Sequence, residues 1–280
     1  MNGKFSKAAT ILSLIYLGLP AGPTMAQPSP VPANQKIEIE YVRPINGAYR
    51  PIYDRLRNRR VLEALREFLG AIRFPRTLAV KIDECNGQLR KPYKSPGPVT
   101  LCYELIDRID SVASKVDLDN RPMVIAGTFV QALLHEVAFG IFDVLDVPVW
   151  GRPADAADRL AAIVMLKFGE EAALRTVLGS AMFFEASDRA WTGSDFADAL
   201  SPDPQRYYNY LCIAYGGAPV TFKGLVNGAK PVLPRNRAAR CEDEYRQVLK
   251  AFDMRIMPYV DPDAVIRIRA TPWVFDTDGK

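Results

Sequence analysis

The sequence predicts an α+β fold: one mostly helical domain with a small β-sheet at its N-terminal side. Three observations lead there. Segments in which apolar and polar residues alternate, as half-buried strands require, are confined to the stretch before Leu105. From Asn120 onward the chain is a series of long apolar stretches broken by Pro and Gly, the texture of packed helices. No linker divides the chain after its first 35 residues, and 49% hydrophobic with 24% charged residues over 280 positions is enough to build one sizeable core.

The first residues stand apart from the fold. Lys4 and Lys7 precede an apolar run, Ala8–Leu19, and a small-residue site follows at Thr24-Met25-Ala26. This is the three-part pattern of a secretory signal, with cleavage expected after Ala26. The rival reading is a membrane anchor, but the run falls short of the ~20 residues a span needs. The signal is therefore assigned to 1–26 and an extended Pro-rich lead, "QPSPVPANQ", to 27–35. The domain is assigned to 36–280. The expected location is exported, periplasmic or secreted, with no transmembrane span left after cleavage.

Within the domain each element has a local reason. "KIEIEYV" (36–42), "TLAVKID" (77–83) and "VTLCYEL" (99–105) read as strands. Between the first two, Leu56, Val61, Leu62, Leu65, Phe68 and Leu69 recur at helical spacing and predict an amphipathic helix over 52–72. The Gly/Pro-rich stretch "ECNGQLRKPYKSPGP" (84–98) reads as a loop. A central helix starts near Asn120, with Pro122 in its first turn, and stays apolar on most faces up to Pro148. Further helices are expected from Pro153 to Gly169, over 170–186, over "DPQRYYNYLCIAYGG" and over "RNRAARCEDEYRQVLKAF".

Charge and cysteine content exclude several functions. The formal charge is +4, and removing Lys4 and Lys7 with the signal leaves 34 basic against 32 acidic residues. A nearly neutral chain gives no general reason to bind nucleic acid. The basic run from Arg50 to Arg60 reads as a solvated helix face. The four cysteines suggest two disulfides in an exported chain. Of the three pairings, Cys85–Cys102 and Cys212–Cys241 each close a local loop. No C-x-x-C occurs, which argues against a thiol zinc site or a redox pair. No G-x-S-x-G, S-x-x-K or phosphate-binding Gly loop occurs either. Tyr207, Tyr208 and Tyr210 read as core and rim of a helix more readily than as a binding surface.

The sequence holds one histidine, within "LLHEVAFG" (133–140). A zinc peptidase helix places two histidines at i and i+4 on one face, with a glutamate general base after the first. His135 and Glu136 hold the first two places; Phe139 stands at the third.

Taken in order, "ECNG", "LCYEL", "LLHEVAFGIFDVLDVPVWGRPADAADRLAA", "DPQRYYNYLCIAYG" and "LPRNRAARCEDEY" resemble a putative zinc-metallopeptidase family of bacterial exported proteins. The resemblance covers most of the mature chain. It implies a zincin-like fold, metal-assisted peptide hydrolysis, His135 as a zinc ligand and Glu136 as general base. It also implies where this chain departs. The family resembles H-E-x-G-H, and here Ala138 and Phe139 take the last two places. An acidic pair after the Gly-Arg turn is replaced by Pro153 and Ala154. An Asp-Glu-His segment before "QRYYN" becomes one with Ala199 and Leu200. The aromatic segment after the first cysteine deviates as "NGQLRKPY".

Phe139 and Ala154 are thus replaced ligand positions, while Asp158, at the place of the carboxylate that orients the first histidine, is kept. A buried Phe adds about 2–3 kcal/mol of apolar stabilisation and fills the space beside His135. The expectation is a vestigial site in which zinc binds weakly or not at all. His135 and Asp158 are expected as a hydrogen-bonded pair between two helices, with Glu136 turned to a cleft or to an arginine such as Arg152 or Arg159. The alternatives are a rebuilt metal site from His135, Asp155 and Asp158, or a non-catalytic scaffold that binds an unknown protein or peptide.

Overall fold

The computed structural model describes residues 36–187, 192–228 and 230–265. The signal segment 1–26, the lead 27–35 and the last part of the assigned domain, 266–280, lie outside them. The described chain is α+β and mostly helical, with three strands near its N-terminal side.

The strands β1 (Ile37–Tyr41), β2 (Leu78–Asp83) and β3 (Val99–Cys102) form one sheet in the order β1-β2-β3, and both pairings are parallel. Parallel neighbours require the chain to return along the sheet before the next strand starts. Between β1 and β2 the return runs through α1 (Arg50–Asn58) and α2 (Val61–Leu69). The predicted helix over 52–72 is therefore two helices. Arg60 takes a left-handed conformation, φ 52°, and turns the second helix so that Leu62, Leu65 and Leu69 still face the core. Between β2 and β3 the return has no helix at all. Residues 84–98 make it as a loop, and that loop becomes important to the site.

The third predicted strand is shorter than expected. It ends at Cys102, because Tyr103 begins α3 (Tyr103–Ala113). Glu104 in its first turn accepts the backbone N–H groups of Cys85 and Gly87, both at 2.9 Å, and so ties the helix start to the loop. A strand reading of "YEL" missed this because the apolar alternation of 99–105 fits either state.

The central helix α4 (Arg121–Val144) packs against α3, β2, β3, α5 (Pro153–Met165) and α6 (Glu170–Ala186). It is long and apolar enough to cross a membrane, yet 78% of its most apolar window is buried inside the protein, so it serves as the core helix. Close approach is made possible by glycine. A Cβ on Gly140 would lie 2.4 Å from Leu78 Cδ1, so the bare backbone lets α4 settle on the sheet. At the α4–α6 crossing a Cβ on Gly127 would meet Thr176 O at 2.5 Å. The short α7 (Gly193–Ala197) leads to α8 (Asp203–Gly217), and α9 (Gly224–Asn227), α10 (Arg235–Ala238) and α11 (Cys241–Arg255) follow. The last predicted helix is thus two, divided at Ala239-Arg240.

Both disulfides join the predicted partners. Cys85–Cys102 links the start of the 84–98 loop to the end of β3, and Cys212–Cys241 links α8 to α11.

Candidate functional site

The polar residues of the core converge on the middle of α4. Gln131, His135 and Phe139 follow at i, i+4 and i+8, so they form one row on the helix. The row faces Asp158, which lies in α5 one turn beyond Ala154. His135 Nδ1 is 2.6 Å from Asp158 Oδ1, and Gln131 Nε2 donates to the same oxygen at 3.0 Å. From α8, Arg206 closes the group with a fork: Nε donates to Asp158 Oδ2 at 2.8 Å and Nη2 to Oδ1 at 3.0 Å. The Arg206 guanidinium lies 4.3 Å from the centre of the Phe184 ring, which completes its burial. His135 is 1% and Arg206 2% exposed, so this network is inside the protein.

The electrostatics follow from that burial. Burial alone would push the Asp158 carboxyl up, but the Arg206 charge and the His135 hydrogen bond hold it well below the usual carboxylate range. Asp158 is therefore ionised and can only accept. It follows that His135 carries its proton on Nδ1 and presents a lone pair at Nε2. The imidazole is kept neutral down to about pH 4, first by burial and then by the Arg90 and Arg206 charges, against the pull of Asp158. Burial raises Glu136 to about 7, opposed by Arg90 and Arg206.

The Nε2 lone pair is not open. Arg90, from the 84–98 loop, donates to it from Nη1 at 2.8 Å. The same Nη1 is 3.5 Å from Glu136 Oε1. Glu136 therefore pairs with an arginine, but the arginine is Arg90 and neither of the two offered as examples, Arg152 and Arg159. Arg152 instead donates to Ser201 Oγ and Phe196 O. Arg152, the residue before α5, turns to the 196–201 segment, and Arg159 in mid-helix lines a separate cleft with Phe142, Val147 and Trp150, while the crossover loop reaches α4 directly.

The donor set can now be tested against zinc. Phe139 meets the His135 ring edge-on, centroids 5.3 Å apart, and offers no donor. Ala154 is buried and offers none. Both Asp158 oxygens are engaged by His135, Gln131 and Arg206. Asp155 turns to Ser201, whose hydroxyl donates to Oδ1 at 2.6 Å. Among the described residues, the group of three ligand-type side chains whose donor atoms lie within 4.8 Å of one another is Cys85, Cys102 and Glu104, and its sulfurs are bonded to each other. One imidazole with its lone pair already engaged does not fit a tetrahedral zinc site.

Three members of the network were not singled out from sequence: Gln131, Arg206 and Arg90. Gln131 could have been found as the residue one turn before His135. Arg206 lies within "QRYYN". Arg90 lies within "NGQLRKPY", part of the stretch read from sequence as a loop.

No curated protein and no solved structure matches the chain. A family described as "Putative metallopeptidase" matches residues 41–254. That span runs from the end of β1 almost to the end of α11 and includes every residue of the network. The chain thus belongs to the putative metallopeptidase family.

Proposed function

We propose that this protein is an exported member of the family that does not hydrolyse peptides, and that its fold serves to bind or scaffold a protein or peptide. The observation that carries the reading is the Phe139 ring set edge-on against His135 at 5.3 Å. A hydrolytic site of this class needs at least three ligands and an open coordination position beside the general base. A half-buried Phe139 and a buried Ala154 stand where the resemblance would place further ligands, and Glu136 has a guanidinium beside it. Two disulfides fit an oxidising compartment, which supports export.

The test uses the tag-free mature chain, dialysed against zinc and then against buffer. The expected result is far less than one zinc per chain and no chelator-sensitive cleavage of a mixed peptide library. Stoichiometric zinc that disappears in His135→Ala, or cleavage that disappears in Glu136→Gln, would overturn the reading.

A further inference from the structure

We propose that Arg90 is a built-in cation that stands where the family's metal ion would stand, and that the 84–98 loop exists in this chain as the strap that holds it there. The inference rests on the reading of a non-hydrolytic site and deepens it.

The first argument is the tautomer. A metal-bound histidine donates one ring N–H to a carboxylate and turns the other nitrogen's lone pair to the metal. His135 has this arrangement, with Nδ1 on Asp158 at 2.6 Å and Nε2 facing Arg90 Nη1 at 2.8 Å. A guanidinium has only donors, so the lone pair meets an N–H in place of an ion. The second argument is Glu136. The same Nη1 lies 3.5 Å from its carboxylate, so one positive group serves both side chains of the His-Glu pair. The third is delivery. The parallel crossover from β2 to β3 must run back along the sheet, and α4 lies against that sheet. The loop is pinned before Arg90 by the Cys85–Cys102 bond and by Glu104, and after it by the Tyr93 hydroxyl donating to Asp143 at 2.9 Å. Arg90 thus sits between two anchors, one of them on α4 itself.

A guanidinium satisfies the charge and hydrogen-bond demand of the pair without its chemistry. It cannot lower the pKa of a bound water or accept a carbonyl oxygen as a fourth ligand. Retention of His135 and Glu136 then needs no metal: they form the seat of Arg90.

The single histidine makes a direct test available. In the tag-free chain with 15N-labelled histidine, one imidazole gives one pair of nitrogen resonances. At pH 7 the expected spectrum has the proton on Nδ1 and a hydrogen-bonded, unprotonated Nε2. In Arg90→Met the Nε2 resonance should move to that of a free lone pair, with Nδ1 unchanged. An Nε2–H tautomer in the wild type, or an Nε2 resonance indifferent to Arg90→Met, overturns the proposal. The wild-type spectrum decides alone if Arg90→Met does not fold. A second arm titrates zinc into Phe139→His/Ala154→Glu with and without Arg90→Met. Removal of Arg90 should tighten zinc at least tenfold; binding no tighter without it, including none in either, counts against the strap. Failure of the non-hydrolytic reading looks different: it is stoichiometric zinc in the wild type.

Discussion

Glu136 lets the cost of burying a carboxyl in this network be measured. Its carboxyl is 5% exposed, holds its proton to about pH 7 in the folded protein and to about 4.5 in the unfolded chain. The raised value comes first from burial, which the Arg90 and Arg206 charges only partly offset, while Asp158 adds to it. A folded pKa above the unfolded one means that the folded state holds the extra proton between about pH 4.5 and 7. Stability from this group is present below the unfolded value and is lost as pH rises through the folded one. At about 1.4 kcal/mol per pKa unit, the loss is about 3 kcal/mol.

Glu136→Gln removes that loss and keeps an oxygen for Arg90. The variant should gain about 3 kcal/mol over the wild type between pH 4.5 and pH 7.5, with no further gain above. His135 works in the opposite direction. Its folded value, about 4, lies below the unfolded 6.5, so its contribution is present above 6.5 and lost as pH falls toward 4. In the wild type the two trends oppose each other between 4.5 and 6.5; in Glu136→Gln only the histidine trend remains. Urea unfolding of both proteins at half-unit steps from pH 4 to 8 measures the difference. Surface carboxylates contribute equally to both and drop out. Parallel stability curves, with a constant offset across the range, would refute the reasoning.

Three further outcomes are expected from the same structure. Arg206→Met leaves Asp158 buried without its fork and should cost about 3–5 kcal/mol in urea unfolding; adding Asp158→Asn should recover part of this, and a double variant as unstable as the single would argue against the charge account. Gly140→Ala pushes a methyl to within contact of Leu78 and Val99, both on the sheet, and should cost about 1–3 kcal/mol, read as a lower urea midpoint at unchanged slope. Cys212→Ser/Cys241→Ser opens a loop with a sequence separation of 29 and should cost about 3–4 kcal/mol by loop-closure entropy, with reduction of the wild type as a check in the same direction.

Much of this was legible from the residues, for reasons of range. The strands and the helices of the second half follow from local periodicity, and the disulfide partners from loop length. Local patterns fail where two states share one pattern: "VTLCYEL" alternates, yet Tyr103 starts a helix whose Glu104 caps the loop. The stripe through Leu56 and Leu69 is continuous, yet a single left-handed residue, Arg60, divides it. In the site, His135 and Asp158 could be set together because each sits at a motif position. Arg206 and Arg90 could not, because charged residues on a sequence read as solvated until a fold encloses them. Arg90 depends most on topology. Nothing local says that residues 84–98 are a parallel crossover, and only a parallel crossover takes the loop back along α4.

The cost of burying His135, Glu136 and Asp158 depends on which groups reach them. An imidazole and a carboxylate left in a core are costly unless something positive or donating reaches them. Apolar neighbours, the half-buried Phe139 and the buried Ala154, raise that cost by lowering the local dielectric. Two solutions exist: remove the remaining polar groups, or bring a cation from within the chain. This protein holds His135, Glu136 and Asp158 together in its core and brings two guanidinium groups to them, Arg206 from α8 and Arg90 from the crossover loop. Arg206 neutralises Asp158, and Arg90 neutralises Glu136 once it ionises. The group then balances without a metal, two positive charges against two negative ones with a neutral imidazole between.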